Sequence, residues 1–198
     1  RTSDIRLNAP SSLSVDLPCN DYAFTVDAFN RQGNLDGKGN SYAAELVPEE
    51  IVSEGVVFRV SNDVERKNVV KCDGQRIVLP QGNYGRVYLL AASLAVDGKS
   101  FRCPVPCYSG FFGQWGHDGG DGFVKNGDLA YVGTHRHSAD HGNESYVFTY
   151  MYKIGLPVEA GAKELTLPKD RNVVVFAVTM SDNQNDNLPP LNEIRALP

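Results

Sequence analysis

No apolar run among the 198 residues approaches the roughly 20 that a membrane-crossing helix needs, so the sequence holds no candidate span of that kind. Basic residues are not in excess: 19 Lys and Arg stand against 24 Asp and Glu, for a net charge of −5 with no run of one sign. Such a surface is a poor partner for nucleic acid or an anionic membrane, because both call for concentrated positive charge. Four cysteines are too few for a disulfide framework. Cys103 and Cys107 flank Pro-Val-Pro, an extended step of roughly 13 Å. A bridge requires Cα atoms within about 7 Å, so pairing these two demands a sharp bend. The sequence also lacks an amphipathic helical stripe, G-x-S-x-G, a P-loop, and a G-x-G-x-x-G placed between strand and helix. No local signature marks a nucleophile, so a non-catalytic role is expected. The chain opens at Arg1 without a signal-peptide pattern and reads as a mature protein or an excised piece of one.

What is present is β-type. Between Leu129 and Met180 four runs rich in β-branched and aromatic residues are separated by three turn signals. Tyr146, Phe148, Tyr150 and Tyr152 repeat at a period of two and should share one face, with Val147, Thr149, Met151 and Lys153 on the other. Further strands are expected at Leu13–Leu17, Tyr22–Asp27, Val56–Val60 and Asn68–Cys72. Asp73-Gly74 has the composition of a type I′ hairpin turn with Gln75–Leu79 returning. Arg86–Val96 is nearly continuously apolar, as in a strand covered on both faces, and Asp97-Gly98 should turn it into a return strand ending at Cys103. Ala43–Glu50 suits one helical turn before Pro48. About eleven short strands predict an all-β sandwich or barrel in a single domain, 1–198. Its core should span about 13–180, with a loose polar tail at 181–198.

One connection is unlike the others. The fourteen residues F-N-R-Q-G-N-L-D-G-K-G-N-S-Y, 29–42, carry three glycines and repeated Asn and Asp, and a loop of that length is usually functional or disordered. Around it Asp27, Asn30, Asn34, Asp36 and Glu45 offer hard oxygen donors of the kind calcium takes six to eight of, so Asp27, Asn30, Asp36 and Glu45 are the candidate metal ligands. The plain alternative is a loop of Asx turns with solvated carboxylates. His135 and His137 lie at i and i+2 on one strand face, followed by Asp140 and His141. That spacing can ligate zinc if other residues complete the set. Arg136 points to the opposite face, free to meet a carboxylate or a ligand hydroxyl. The single tryptophan, Trp115, lies in Y-S-G-F-F-G-Q-W-G-H-D-G-G-D, 108–121, among five glycines and beside His117, Asp118 and Asp121. An aromatic face stacks on the C–H face of a sugar while polar neighbours fix its hydroxyls. The alternative is a hydrophobic plug. Trp115, His117, Asp118, Asp121, Tyr42 and Arg136 form the candidate ligand set.

Several fragments in order, L-D-G-K-G-N-S-Y-A-A-E-L at 35–46, F-R-V at 58–60, N-V-V-K-C-D-G-Q-R-I-V-L-P at 68–80, Y-L-L-A-A-S at 88–93, T-H-R-H at 134–137, Y-V-F-T-Y at 146–150 and L-T-L-P-K-D-R-N-V-V-V-F-A-V-T at 165–179, resemble an accessory module of bacterial glycoside hydrolases. The likeness is to the galactose-binding-like jelly-roll module of α-mannosidase-type enzymes and covers roughly residues 13 to 190. It implies a jelly-roll β-sandwich, a carbohydrate partner, and a glycoside hydrolase catalytic domain on the same chain. It also implies one structural calcium, a secreted, periplasmic or cell-surface location, and T-H-R-H as a feature of the fold. The chain departs from that pattern at 108–121, and A-A-E-L replaces P-A-E-L, so the identity of the sugar is not implied. A structural brace without a ligand and a small stand-alone hydrolase are the alternatives. Aryl-glycoside turnover would mark the latter.

Overall fold

The computed structural model describes residues 11–95, 99–101, 103–105, 109–110, 128–159 and 161–182, and for 99–110 and Asp128 the backbone pairing alone. Fifteen strands are present among these residues. The first eight are β1 (Ser12–Val15), β2 (Phe24–Thr25), β3 (Asn40–Ala43), β4 (Glu50–Ser53), β5 (Val56–Arg59), β6 (Val70–Lys71), β7 (Arg76–Val78) and β8 (Arg86–Ser93). Then come β9 (Lys99–Phe101), β10 (Cys103–Val105) and β11 (Ser109–Gly110). The last four are β12 (Asp128–Ser138), β13 (Gly142–Pro157), β14 (Glu164–Thr166) and β15 (Val173–Ser181), which are the four expected runs. The only helical pieces among the described residues are 3-10 turns at Asp27–Phe29 and Ala44–Leu46, the second within the expected Ala43–Glu50 stretch. The all-β class follows.

The main sheet runs β1-β15-β8-β13-β12-β3-β2, with β6 added to β15 and β11 to β13. Every pairing in it is antiparallel except β2 with β3. Its centre is buried on both sides. Along β8, Tyr88, Leu90 and Ala92 enter one apolar cluster, while Val87, Leu89 and Ala91 enter the other. The β4–β5 hairpin covers the first face with Ile51, Val56 and Phe58. The β7–β14 pair covers the second with Ile77 and Leu165. Both faces apolar is why Arg86–Ser93 reads as an unbroken hydrophobic run.

Bulges decide which side chains meet. On β15 the register slips between Val175 and Ala177, so Phe176 and Ala177 both enter the first cluster, and Val178 and Met180 the second. On β13 the partner of Thr149 is Gly133 and the partner of Ser145 is His135, so Tyr146, Val147 and Phe148 oppose Thr134 alone. Tyr146 adopts φ 66° there and is exposed, whereas Tyr150 and Tyr152 are core. The expected face of three tyrosines and one phenylalanine therefore loses Tyr146 at this bulge, while Phe148, Tyr150 and Tyr152 stay with the first cluster. Lys153, placed on a mixed face by alternation, is fully buried, with Nζ 2.5 Å from Oε2 of Glu54 and over the Tyr88 ring. Glu54 occupies the β4–β5 turn at φ 49° beside Gly55 at φ 82°, the two positive angles that a two-residue hairpin turn requires.

Two expected hairpins are not made. Asp73-Gly74 does turn, with Gly74 at φ 77°, but β6 then pairs with β15 and β7 with β14. Both edges of β8 are taken by β13 and β15, so the strand after it pairs elsewhere, β9 with β10. Long-range pairing outcompetes the local turn because it buries the central strands on both faces. Cys19 and Cys72 are free thiols, and burial pushes Cys72 up to about 12. The hairpin cover is tested by Phe58→Ala, which removes a fully buried ring. It should cost about 3–5 kcal/mol in urea unfolding with an unchanged slope.

Candidate functional site

The glycine-rich loop after the first 3-10 turn is held to the sheet by its own polar groups. Asp36 accepts the backbone N–H of Lys38 and Asn40 and the side-chain amide of Asn40, and Asn34 accepts from Gly39. Leu35 is buried beneath it. Gly39, at φ 84°, accepts the Ala139 N–H at the end of β12, and a Cβ on it would lie 2.6 Å from that of Ala139. Arg31 donates to the carbonyls of Ala139 and Asp140. The loop is thereby clamped over the place where β12 leaves the covered core.

There β12 presents His135 and His137 on one face, their rings 5.5 Å apart. His137 lies opposite Ser41 of β3 and Asn143 of β13, and it is fully buried. Its Nδ1 is 2.8 Å from Thr25 Oγ1, which is 2.7 Å from Ser41 Oγ. Its Nε2 faces Asp27 Oδ1 at 3.3 Å and Glu45 Oε2 at 4.0 Å, without a well-aligned hydrogen bond to either. His135 Nε2 is likewise buried without a partner. Asp27 Oδ1 accepts the Asn143 amide, whose oxygen accepts from Asn30, and Glu45 accepts the Asp27 backbone N–H. Burial is the main cause that lowers the His137 pKa, and His135 adds to it, against Glu45 and Asp27, which raise it. The imidazole is neutral at pH 7, and its 3.3 Å approach to Asp27 is not an ion pair.

The candidate residues therefore separate. Asp27 and Glu45 meet at His137, Asn30 supports them through Asn143, and Asp36 is engaged inside its own loop, so the four do not form one cage. Tyr42 is a core residue rather than a ligand contact: it is fully buried, and its hydroxyl donates to the Tyr150 carbonyl. Its ring is locked against Phe24 and Phe176 because β3 is interior to the sheet. Arg136 does point away from the histidines, and it pairs with Glu144, its cross-strand neighbour, at 2.5 Å. Trp115, His117, Asp118 and Asp121 lie outside the described residues.

Beside this cluster opens a cleft of about 310 Å³, lined by Asp21, Tyr22, Phe24, Thr25, Phe29 and Gln32 among others. Tyr22 and Phe29, 46% and 55% exposed, are the open aromatic residues of its lining. Thr25 contributes to both places, its hydroxyl to His137 and its strand to the cleft. Sequence reasoning did not single out Thr25, Ser41, Asn143, Tyr22 or Phe29. Thr25 and His137 are 112 positions apart, and no local pattern links them.

The family model of the AziU2-like beta-sandwich domain matches residues 11–184. That carries the β-sandwich module implied by the sequence resemblance, and it names no glycoside hydrolase. No curated protein matches the chain.

Thr25→Val tests the relay. The shape is kept while the groups on His137 Nδ1 and Ser41 Oγ lose their partner, at a cost of about 1–3 kcal/mol read from the shift in thermal or urea midpoint. Thr25→Ser should restore most of it.

Proposed function

The chain belongs to the AziU2-like beta-sandwich domain family, and we propose that it is a non-catalytic module that binds carbohydrate. One observation supports this above the others: the lining of one cleft combines two exposed aromatic residues, Tyr22 and Phe29, with the polar residues Thr25, Gln32 and Asn34. Aromatic faces stack on sugar C–H surfaces, and amides and hydroxyls then select among hydroxyl positions. The cleft is built from β2, the 3-10 turn and the clamped loop, so its walls are held before a ligand arrives. Preformed walls lower the ordering cost of binding. The sequence of 108–121, which carries Trp115, offers residue types of the same chemistry and falls largely outside the described residues. The resemblance to glycoside hydrolase modules adds the context proposed for it: an accessory role beside a catalytic domain, at a secreted, periplasmic or cell-surface location.

Two aromatic contacts and a few hydrogen bonds offset only part of the cost of association. Dissociation constants of about 10 µM to 1 mM are expected by calorimetry against mannose-, galactose- and glucose-containing glycans, equivalent to roughly 4–7 kcal/mol. Tyr22→Ala and Phe29→Ala should each weaken binding about tenfold with the fold intact, both being exposed. If only Trp115→Ala does so, the ligand occupies the 108–121 segment instead. No binding across the panel would reduce the module to a structural brace.

A further inference from the structure

We infer that His135, His137 and Asp27, with Glu45 beside them, form a binding site for a divalent transition metal ion of the zinc class. One donor atom from each of the first three lies within 4.8 Å of the others. Tetrahedral zinc with bonds of about 2.0–2.1 Å sets its donors roughly 3.3 Å apart, so small side-chain rotations close the set. Glu45 Oε2, 4.0 Å from His137 Nε2, is the nearest further oxygen.

The independent sign of a ligand is the state of the two imidazoles. His137 is fully buried, yet its Nε2 has no well-aligned hydrogen bond, only the 3.3 Å approach of Asp27, and the same atom of His135 has no hydrogen-bond partner among the described residues. Buried polar atoms of this kind are rare and call for a missing partner. If Nδ1–H of His137 donates to Thr25, the Nε2 lone pair faces a carboxylate oxygen at 3.3 Å, a contact that only a cation makes favourable. If Nε2 carries the proton instead, that proton is not aligned on Asp27. The first arrangement is also that of a metal-bound histidine, whose second nitrogen donates to a fixed acceptor. Thr25, whose hydroxyl can donate in turn to Ser41 Oγ, is such an acceptor, and Asn143 fixes Asp27 by donating its amide N–H to Oδ1. Asp27 and Glu45 are partly open to solvent, which leaves room for water in the remaining positions. Two nitrogens and one or two carboxylates favour a borderline metal, whereas calcium prefers a full set of oxygens.

The test uses the whole chain after EDTA treatment and dialysis. Zinc at 100-fold excess over its Kd should raise Tm by about 5–10 °C. Cobalt(II) should give visible absorption bands that zinc abolishes by displacement. Asp27→Ala, at an exposed side chain, and His135→Ala should each weaken zinc at least about 30-fold by competition with a chromophoric chelator. Should His135→Ala fail to fold, Asp27→Ala with the cobalt spectrum decides alone. Three results overturn the site: no zinc-dependent shift, zinc binding that survives Asp27→Ala, or an equal shift with calcium.

Discussion

The constraint on which the rest depends is that β8, β13 and β15 are apolar on both faces. A sheet with two greasy faces must be covered twice. The β4–β5 hairpin and the β7–β14 pair supply those covers. The second cover takes Gln75–Leu79 away from its neighbour β6, while β13 and β15 leave β8 no free edge for the strand that follows it. Even the buried Lys153 belongs to this scheme, since the carboxylate it meets is carried by the tight turn of the covering hairpin.

The candidate site occupies the place where that double cover stops. Beyond the β13 bulge, β12 runs on to pair with β3, and the glycine loop and the two 3-10 turns that flank it bring polar groups to this end of the strand. The groups brought to the imidazole pair are polar: the carboxylates of Asp27 and Glu45 come from the 3-10 turns on either side of the loop. The result is a half-buried polar cluster in which His137 is sealed and its carboxylate neighbours face solvent. The cleft shares that wall. Thr25 is its hinge point chemically: a residue of a two-residue strand that touches both the histidine relay and the cleft.

The sequence and the structure meet unevenly at the named residues. His135 and His137 were legible as a same-face pair, and Asp27 and Glu45 as oxygen donors near a special loop. What joins them is register: β2 beside β3 and β3 beside β12. Parallel pairing of β2 with β3 leaves no mark in local composition, so Thr25 and Ser41 were not readable as partners of His137. Tyr42 was misread for the opposite reason, since a tyrosine closing a polar loop looks exposed until the sheet forms around it.

The sequence alone determined the class of secondary structure, the four long runs of the C-terminal half and the double burial of Arg86–Ser93, because side-chain periodicity acts over a few residues. It also carried the turn geometry of Gly74 and the single helical turn before Pro48. Only the tertiary structure decided which strands pair, where the bulges on β13 and β15 reverse the faces, and that Asp27 meets two histidines more than a hundred positions away. The physical reason is that strand pairing and metal-like clustering are long-range events. Their free energy comes from burial and register across the whole sheet, and no short window of sequence contains it.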